Sequence, residues 1–263
     1  MAVKSDALWM AHASDRKCLP LVHQTAFSER ERHVTTDARY GATVFAAKNE
    51  LLTIRRPLQS PAMLDDMVDF DIRANRMLSW YSRGRGSFRP MDTPPFASRG
   101  WSFGLLGDVP ERPATFLSAE EEAFCLRCWR GRSVVELMGL QLNYRLFRGG
   151  NARVDEPPAE QVRDQLVDLL ESYASTSFHA FTVMVTNATT GLVFSKHRSV
   201  HYCTVRGDFR RSARIDISGP YVDHLRAAVI SDGLDILPEV DPVVLPSGSF
   251  LALERETLRL LSS

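Results

Sequence analysis

The chain has 263 residues, 44% hydrophobic and 24% charged, which is the composition of a globular protein with a sizeable core rather than of a disordered or membrane-embedded one. Its 32 basic and 32 acidic side chains cancel, so the charge argues against a nucleic-acid partner and against binding to a membrane surface. The apolar stretches are too short for a signal peptide or a span, and the scattered cysteines form no secreted disulfide framework, so we expect a cytoplasmic protein.

Strands are predicted at the beginning of the chain. Ala7 to Ala13 is the opening strand, and two short apolar runs, Tyr40 to Ala47 and Leu51 to Arg55, form a hairpin. A proline at the first helical position and apolar residues at helical spacing predict a helix from Pro61 to Asp69. Arg83 to Pro95 is rich in glycine and proline and is predicted to be a loop.

Helices occupy the middle of the chain, and strands return after it. The helices are predicted at Ala119 to Trp129, Ser133 to Phe147 and from Pro157 through Tyr173. The later strands are predicted at Phe181 to Thr186, Leu192 to Ser195, His201 to Val205, Ala227 to Ser231 and Ser249 to Leu253. This order indicates an α+β fold in which helices pack on mostly antiparallel sheets.

Several motifs follow one another in an order that one enzyme family shares. Thr36 to Phe45 is similar to N-x-D-G-W/F-G-x-x-x-Y, Pro95 to Gly107 to P-F…W-x-F-x-H-N-G, and Gly131 to Leu137 to G-x-T-D-S-E-L. Phe181 to Ser195 and Val229 to Ser249 are similar to the hairpin and the V-A-S-E-P-L…V-P-P-G-S ending of that family. The chain thus resembles class II, N-terminal-nucleophile glutamine amidotransferases, particularly the stand-alone branch that includes the ergothioneine-pathway amidohydrolase. The resemblance implies a four-layer αββα sandwich in a single domain, residues 1–263.

The nucleophile of that family has no counterpart in this sequence. Such enzymes use an N-terminal Cys whose own α-amine acts as the general base. Here Ala7 occupies the corresponding register of the opening strand, and removal of Met1 would expose Ala2. The resemblance therefore implies a scaffold without its attacking group.

The substrate-binding motifs are altered as well. Leu106-Gly107 stands where the family has an Asn-Gly oxyanion hole, and Val134 replaces the Asp that anchors the α-amine of glutamine. Arg83 lies one place out of register with the Arg that binds the α-carboxylate. We therefore expect a pseudoenzyme that acts as a binding, regulatory or scaffold subunit, without cofactor or metal. Its expected partner is an active homologue or a synthetase that needs ammonia, in a homo- or hetero-oligomer.

A vestigial ligand site is predicted at the altered positions. Its expected residues are Trp80, Arg83, Trp101, Leu106 and Val134. Trp80, Leu106 and Val134 would line the former pocket, which favours either an apolar group or filling by neighbouring side chains.

One alternative restores an enzyme. If the chain were cleaved before Cys18, that residue would become an N-terminal nucleophile for an amidohydrolase or glutaminase acting on a γ-glutamyl substrate. The same cleavage would delete the strand Ala7 to Ala13, and a loop cysteine is the other interpretation.

Two further features admit a chemical and a structural interpretation. Cys125 and Cys128 form a C-x-x-C on a predicted helix, but without a second pair at metal spacing packing is favoured over zinc or redox chemistry. The basic run from Arg206 to Arg214 is interpreted as a solvated loop rather than a nucleic-acid contact, because the protein as a whole is neutral.

Overall fold

The structure is a computed structural model. It describes residues 7–13, 40–47, 50–57, 76–82, 94–110, 115–131, 133–148, 157–173, 178–206, 226–232, 243–254 and 257–261. The helices within these ranges are α1 (Ala119–Cys128), α2 (Val134–Phe147) and α3 (Ala159–Ser172). The strands are β1 (Ala7–Ala13), β2 (Tyr40–Ala47), β3 (Glu50–Pro57), β4 (Arg76–Ser82), β5 (Phe96–Ser98), β6 (Trp101–Gly107), β7 (Phe181–Thr186), β8 (Thr190–Lys196), β9 (Val200–Arg206), β10 (Arg226–Asp232), β11 (Val243–Leu245), β12 (Ser249–Glu254) and β13 (Thr257–Leu261).

The strands form two antiparallel sheets. The first has the order β11-β9-β10-β1-β4-β2-β3, and the second has the order β13-β12-β8-β7-β6-β5. β1 is an inner strand of the first sheet, because Leu8 is paired with Trp80 of β4 on one side and with Asp232 of β10 on the other. Both of its edges are therefore satisfied by backbone hydrogen bonds.

An apolar core fills the space between the two sheets. It contains residues from both sheets and from none of the described helices: Val44, Leu106, Met184, Val193, Val200, Ile230, Leu245, Leu251 and Leu253. A second core lies on the opposite face of the second sheet, where α2 and α3 cover it. Alternate residues of β6 contribute to the two cores, with Phe103 and Leu105 facing the helices and Leu106 facing the first sheet.

The predicted α+β architecture is confirmed, with helices packed on antiparallel sheets. The opening strand, the β2–β3 hairpin and the three central helices are found within a few residues of their predicted bounds. The helix predicted from Pro61 to Asp69 lies outside the described residues. β5, β11 and β13 were not predicted, because three to five residues at the side of a sheet carry too little alternation to be recognised.

Buried polar contacts join the three helices. Ser118 caps α1, since its Oγ accepts a hydrogen bond of 3.1 Å from the backbone N–H of Glu121. The Glu121 carboxylate forms an ion pair of 2.8 Å with Nε of Arg145 on α2, and the two side chains are only 0% and 2% exposed. Tyr173, which follows α3, donates from its hydroxyl to Oε1 of Gln141 on α2 at 2.6 Å. Glu120, Glu121 and Glu122 form the acidic first turn of α1 behind its N-cap Ser118, and Glu121 is the one that the fold buries.

The end of β6 is fixed by a close approach of two backbones. Gly107 has φ +91°, and a Cβ at this position would lie 2.2 Å from the carbonyl oxygen of Ala180. The next residue, Asp108, donates its backbone N–H to the same oxygen at 2.9 Å, and its carboxylate accepts from the Ala180 N–H at 2.8 Å. Only glycine fits here without displacing one of the two segments.

None of the three described helices combines the length and the apolar character that crossing a bilayer requires.

We predict that Glu121→Ala destabilises the protein by about 3 to 5 kcal/mol, because it leaves the Arg145 guanidinium buried without its carboxylate. Urea unfolding followed by circular dichroism measures the change. Glu160→Ala is the matched control, since it breaks an ion pair with Arg259 in which both side chains are more than 40% exposed, and we expect it to change stability little. Equal effects of the two substitutions would contradict the structural role of the buried pair.

We also predict that Gly107→Ala lowers the free energy of unfolding by at least about 2 kcal/mol, through the unfavourable φ and the clash with Ala180. Gly248→Ala separates the two causes. Gly248 has φ +83°, but no described atom lies within 4 Å of the place where its Cβ would be, so this variant carries the backbone cost alone. In thermal or urea unfolding, Gly107→Ala should therefore be less stable than Gly248→Ala. The reverse order of stability would contradict the close approach of Gly107 to Ala180.

Candidate functional site

One end of the sandwich collects the positions that the family motifs singled out. In the second sheet, Gly107 is paired with Phe181, and Phe181 is paired with Lys196 at the end of β8. The chain then crosses to the first sheet through residues 197–199 and enters β9 at Val200. This end, defined by residues 7–8, 107–108 and 196–200, is called the β1 end below.

The first sheet brings the start of β1 to the same end. Val200 is paired with Asp232 of β10, and Asp232 is paired with Leu8. Ala7 is paired with Tyr81, and Trp80 lies between Leu8 and Ala42 in the backbone register. The backbones of Ala7, Trp80 and Gly107 thus lie at one end of the molecule, although they are far apart in sequence.

Helix α2 points its N-terminus towards the β1 end. Asn143 near its C-terminus donates to the carbonyl oxygen of Ser98 at 3.1 Å, close to the start of β6, whereas Gly139 packs against Phe103 further along that strand. The helix therefore runs antiparallel to β6, and Val134 at its first turn lies towards Gly107.

The side chains of Leu106 and Val134 do not share a pocket in the described structure. Leu106 is 0% exposed and packs between the two sheets, whereas Val134 is partly buried against the core beneath the helices. On the sequence alone, the former pocket could either bind an apolar group or be filled by neighbouring side chains. Around Leu106, neighbouring side chains fill the space. Trp101 is 6% exposed in the core beneath the helices, where it lines a different cavity.

Polar groups that sequence reasoning missed surround Gly107. Nη1 of Arg198 lies 3.1 Å from the place where a Cβ on Gly107 would be, and the Asp108 carboxylate accepts from the backbone N–H groups of His179 and Ala180. The turn that carries Arg198 includes His197 at φ +55°, whose N–H donates to Ser247 Oγ at 2.9 Å. The basic run Lys196-His197-Arg198 is visible in the sequence, but the sequence does not show that it lies beside Gly107. That proximity arises from the short connection between β8 and β9.

A second group of polar contacts holds the start of α2. The Glu136 carboxylate accepts from the backbone N–H of Gly131 at 2.8 Å and of Arg130 at 3.3 Å. Arg55 of β3 donates to the carbonyl oxygen of Pro95, and burial lowers the pKa of its guanidinium while the negative charge of Glu136 acts in the opposite direction. These contacts join the edge of the first sheet to α2.

The remaining candidates fall into two groups. Cys18, Arg83 and the part of the basic run that follows Arg206 lie outside the described residues. Cys125 is a free, buried thiol in a cluster with Phe124 that also includes Cys128, as the packing interpretation predicts. Within the described ranges, no three His, Cys, Asp or Glu side chains come together as metal ligands would.

Solved structures similar to this one include proteins described as glutamine amidotransferases. A glutamine aminotransferase class-II domain protein from Silicibacter pomeroyi matches with a TM-score of 0.54 and 14% identity, over 98% of both chains. A predicted glutamine amidotransferase from Pseudomonas aeruginosa matches with a TM-score of 0.56 and 12% identity, over 98% of this chain and 99% of the other. The glutamine phosphoribosylpyrophosphate amidotransferase of B. subtilis gives a TM-score of 0.55 and 10% identity, with 97% of this chain covering 48% of that enzyme.

Sequence comparison alone finds less. No protein-family model matches the chain, and no curated protein is significantly similar to it. At these low identities the structural matches establish architecture and not chemistry. The chain has the N-terminal-nucleophile hydrolase fold of the class II glutamine amidotransferases.

Proposed function

We propose that this chain is a glutamine amidotransferase-like protein that does not hydrolyse glutamine and that acts as a binding, regulatory or scaffold subunit. The observation that carries the proposal is the sequence of β1, Ala7-Leu8-Trp9-Met10-Ala11-His12-Ala13, which contains no thiol and no hydroxyl. β1 begins at the end of the sandwich where Gly107 and the N-terminus of α2 also lie. An N-terminal-nucleophile mechanism needs its attacking atom at the start of such a strand.

The groups that would stabilise and orient a substrate support the same proposal. Leu106 stands in the place of an oxyanion-hole Asn, and it has no side-chain donor where such a donor contributes about 3 kcal/mol to the transition state. Its side chain is committed to the core between the sheets. Val134 at the first turn of α2 has no carboxylate with which to bind an amine.

The buried thiols are poor substitutes for a missing nucleophile. Burial, followed by the nearby charge of Glu121, raises the pKa of the Cys125 thiol to about 12. Burial likewise raises the pKa of the Cys203 thiol to about 11. Both groups are neutral at physiological pH, and a neutral thiol is a weak nucleophile.

The architecture argues against maturation at Cys18. β1 pairs with β4 on one side and with β10 on the other, over six residue pairs in each case. A chain that began at Cys18 would lack this inner strand, and the first sheet would be divided into β11-β9-β10 and β4-β2-β3. The first sheet stays intact in the proposed binding subunit, whereas cleavage before Cys18, which the amidohydrolase alternative requires, would remove the inner strand β1.

The proposed partner is argued from the family that the fold resembles. A glutaminase scaffold without its chemistry is suited to association with an active homologue or with a synthetase that needs ammonia, in a homo- or hetero-oligomer in the cytoplasm. The residues predicted for a vestigial site do not form one pocket within the described residues, since Leu106 packs between the sheets, Val134 packs beneath the helices and Trp101 lines a different cavity. The proposed role therefore does not depend on a ligand there, and no cofactor or metal is required for it.

We predict that the purified chain releases no glutamate from glutamine above the uncatalysed background, because no described residue supplies the nucleophile. Glutamate is measured by a coupled dehydrogenase assay. Cys18→Ala is the matched variant, and it should be indistinguishable from the parent chain.

The assay separates the two proposals. Glutamate release that Cys18→Ala abolishes, together with an intact mass that begins at Cys18, would establish the amidohydrolase instead. Release that survives Cys18→Ala would contradict both proposals.

We also predict that Cys125 and Cys203 resist thiol reagents at pH 8 in the folded protein. A pKa of about 11 leaves roughly one Cys203 thiol in a thousand ionised at this pH, and burial restricts access further. Labelling with iodoacetamide, followed by peptide mass spectrometry, should modify half-buried Cys128 before Cys125 and should reach all three in urea. Rapid modification of Cys125 or Cys203 in the native protein would show that one of them is an accessible thiolate.

A further inference from the structure

β3 forms one edge of the first sheet. In the part of the chain that the structure describes, β2 pairs with one side of β3 along all eight of its residues, Glu50–Pro57, and no strand lies on the other side. An edge strand of this length is a template on which a further strand can pair. β3 is therefore a candidate interaction surface.

The other three edges of the described sheets are less suited to pairing. β5 and β11 have only three residues each, and Pro246 follows β11 directly. β13 has five residues, but its central residue is Arg259, so two copies paired about that centre would place like charges opposite each other. β3 is longer than any of these strands, and its first proline is its last residue, Pro57.

The β2–β3 hairpin determines which backbone groups of β3 point away from β2. Only residues 48 and 49 separate Ala47 from its partner Glu50, and a hairpin loop of two residues is closed by a hydrogen-bonded pair. Hydrogen-bonded and non-hydrogen-bonded pairs alternate along the ladder, so Leu51, Thr53 and Arg55 direct their backbone groups outwards. An antiparallel strand added here must set its own outward residues opposite these three.

A second copy of the chain meets this condition when the two β3 strands pair about a twofold axis at Thr53. Leu51 of each copy is then opposite Arg55 of the other, and the two Thr53 residues are opposite each other. A shift of the register by two residues would place either the hairpin loop or Pro57, which has no N–H, opposite an outward residue. One register is therefore favoured.

The same register matches charges and apolar side chains. It sets Glu50 opposite Arg56 of the second copy, and the twofold axis repeats this pair of opposite charges at the other end of the strand. Leu52, which is 49% exposed in the single chain, is set opposite Ile54 in a non-hydrogen-bonded pair, where side chains lie closest. The edge is thus complementary to itself.

The side chain of Arg55 does not obstruct this pairing. Its guanidinium donates to the carbonyl oxygen of Pro95, which directly precedes β5 of the second sheet. The side chain is therefore directed across the sandwich and not along the edge of the first sheet.

We propose that β3 is the interface through which two copies of this chain form a symmetric dimer, with one continuous sheet to which each copy contributes seven strands. The proposal concerns the assembly of the chain and holds whether or not the chain hydrolyses glutamine. Glutamate release would therefore contradict the proposed function without affecting the dimer.

Sedimentation velocity of the purified chain over a range of concentrations measures the dissociation constant of the dimer. Glu50→Arg and Arg56→Glu each place two pairs of like charges across the interface, so we expect each to weaken the dimer at least about tenfold. An equimolar mixture of the two variants restores opposite charges in both pairs. The mixture, and the double variant by itself, should therefore dimerise about as strongly as the parent chain.

Leu52→Glu and Leu260→Glu are a matched pair, because the two leucines are 49% and 51% exposed. The first should weaken the dimer, whereas the second, on β13, should leave it unchanged, and circular dichroism checks that each variant is folded. A parent chain that stays monomeric at about 100 µM would overturn the proposal. So would a dimer that neither charge reversal weakens, a mixture as weak as its components, or equal effects of the two leucine variants.

Discussion

The backbone pairing of β1 is the constraint on which the architecture depends. Its seven residues are held between β4 and β10, so one short segment joins the two halves of the first sheet. An inner strand cannot be removed without exposing two rows of unpaired backbone groups, and such groups are costly to leave without partners. The strand is therefore required by the fold, and the absence of a thiol or hydroxyl from it is the observation on which the proposed loss of activity rests.

The short connection from β8 to β9 determines which charged residues lie at the β1 end. Because residues 197–199 pass straight from the second sheet to the first, Arg198 lies beside Gly107, close to the strand that begins at Ala7. A guanidinium group and the carboxylate of an exposed aspartate lie in this region. The charges at this end are therefore a property of the topology and not of any single motif.

Sequence patterns were sufficient for the elements that have a clear period or a clear boundary. β1 and the β2–β3 hairpin were predicted because they are short apolar runs, and α3 was predicted because its apolar residues recur at helical spacing. The burial of Glu121 could not be predicted, because three consecutive glutamates at an N-terminus give no indication of which one faces inwards, and its partner Arg145 is on another helix. The shared pocket predicted for Leu106 and Val134 is not found. Neighbouring residues of β6 alternate between the two faces of the sheet, so Leu106 faces the first sheet, whereas Val134 packs beneath the helices on the other face, and linear motifs do not show this.

The long separation between the partners of β1 has a consequence for biosynthesis. β4 leaves the ribosome soon after β1, but β10 is translated about 150 codons after β4, and at ordinary elongation rates this delay is on the order of ten seconds or more. During that interval the edge of β1 that later pairs with β10 has no partner, and a neighbouring chain could extend it. The pairing of β1 with β10 is therefore the step most exposed to misassembly, and its timing is set by translation.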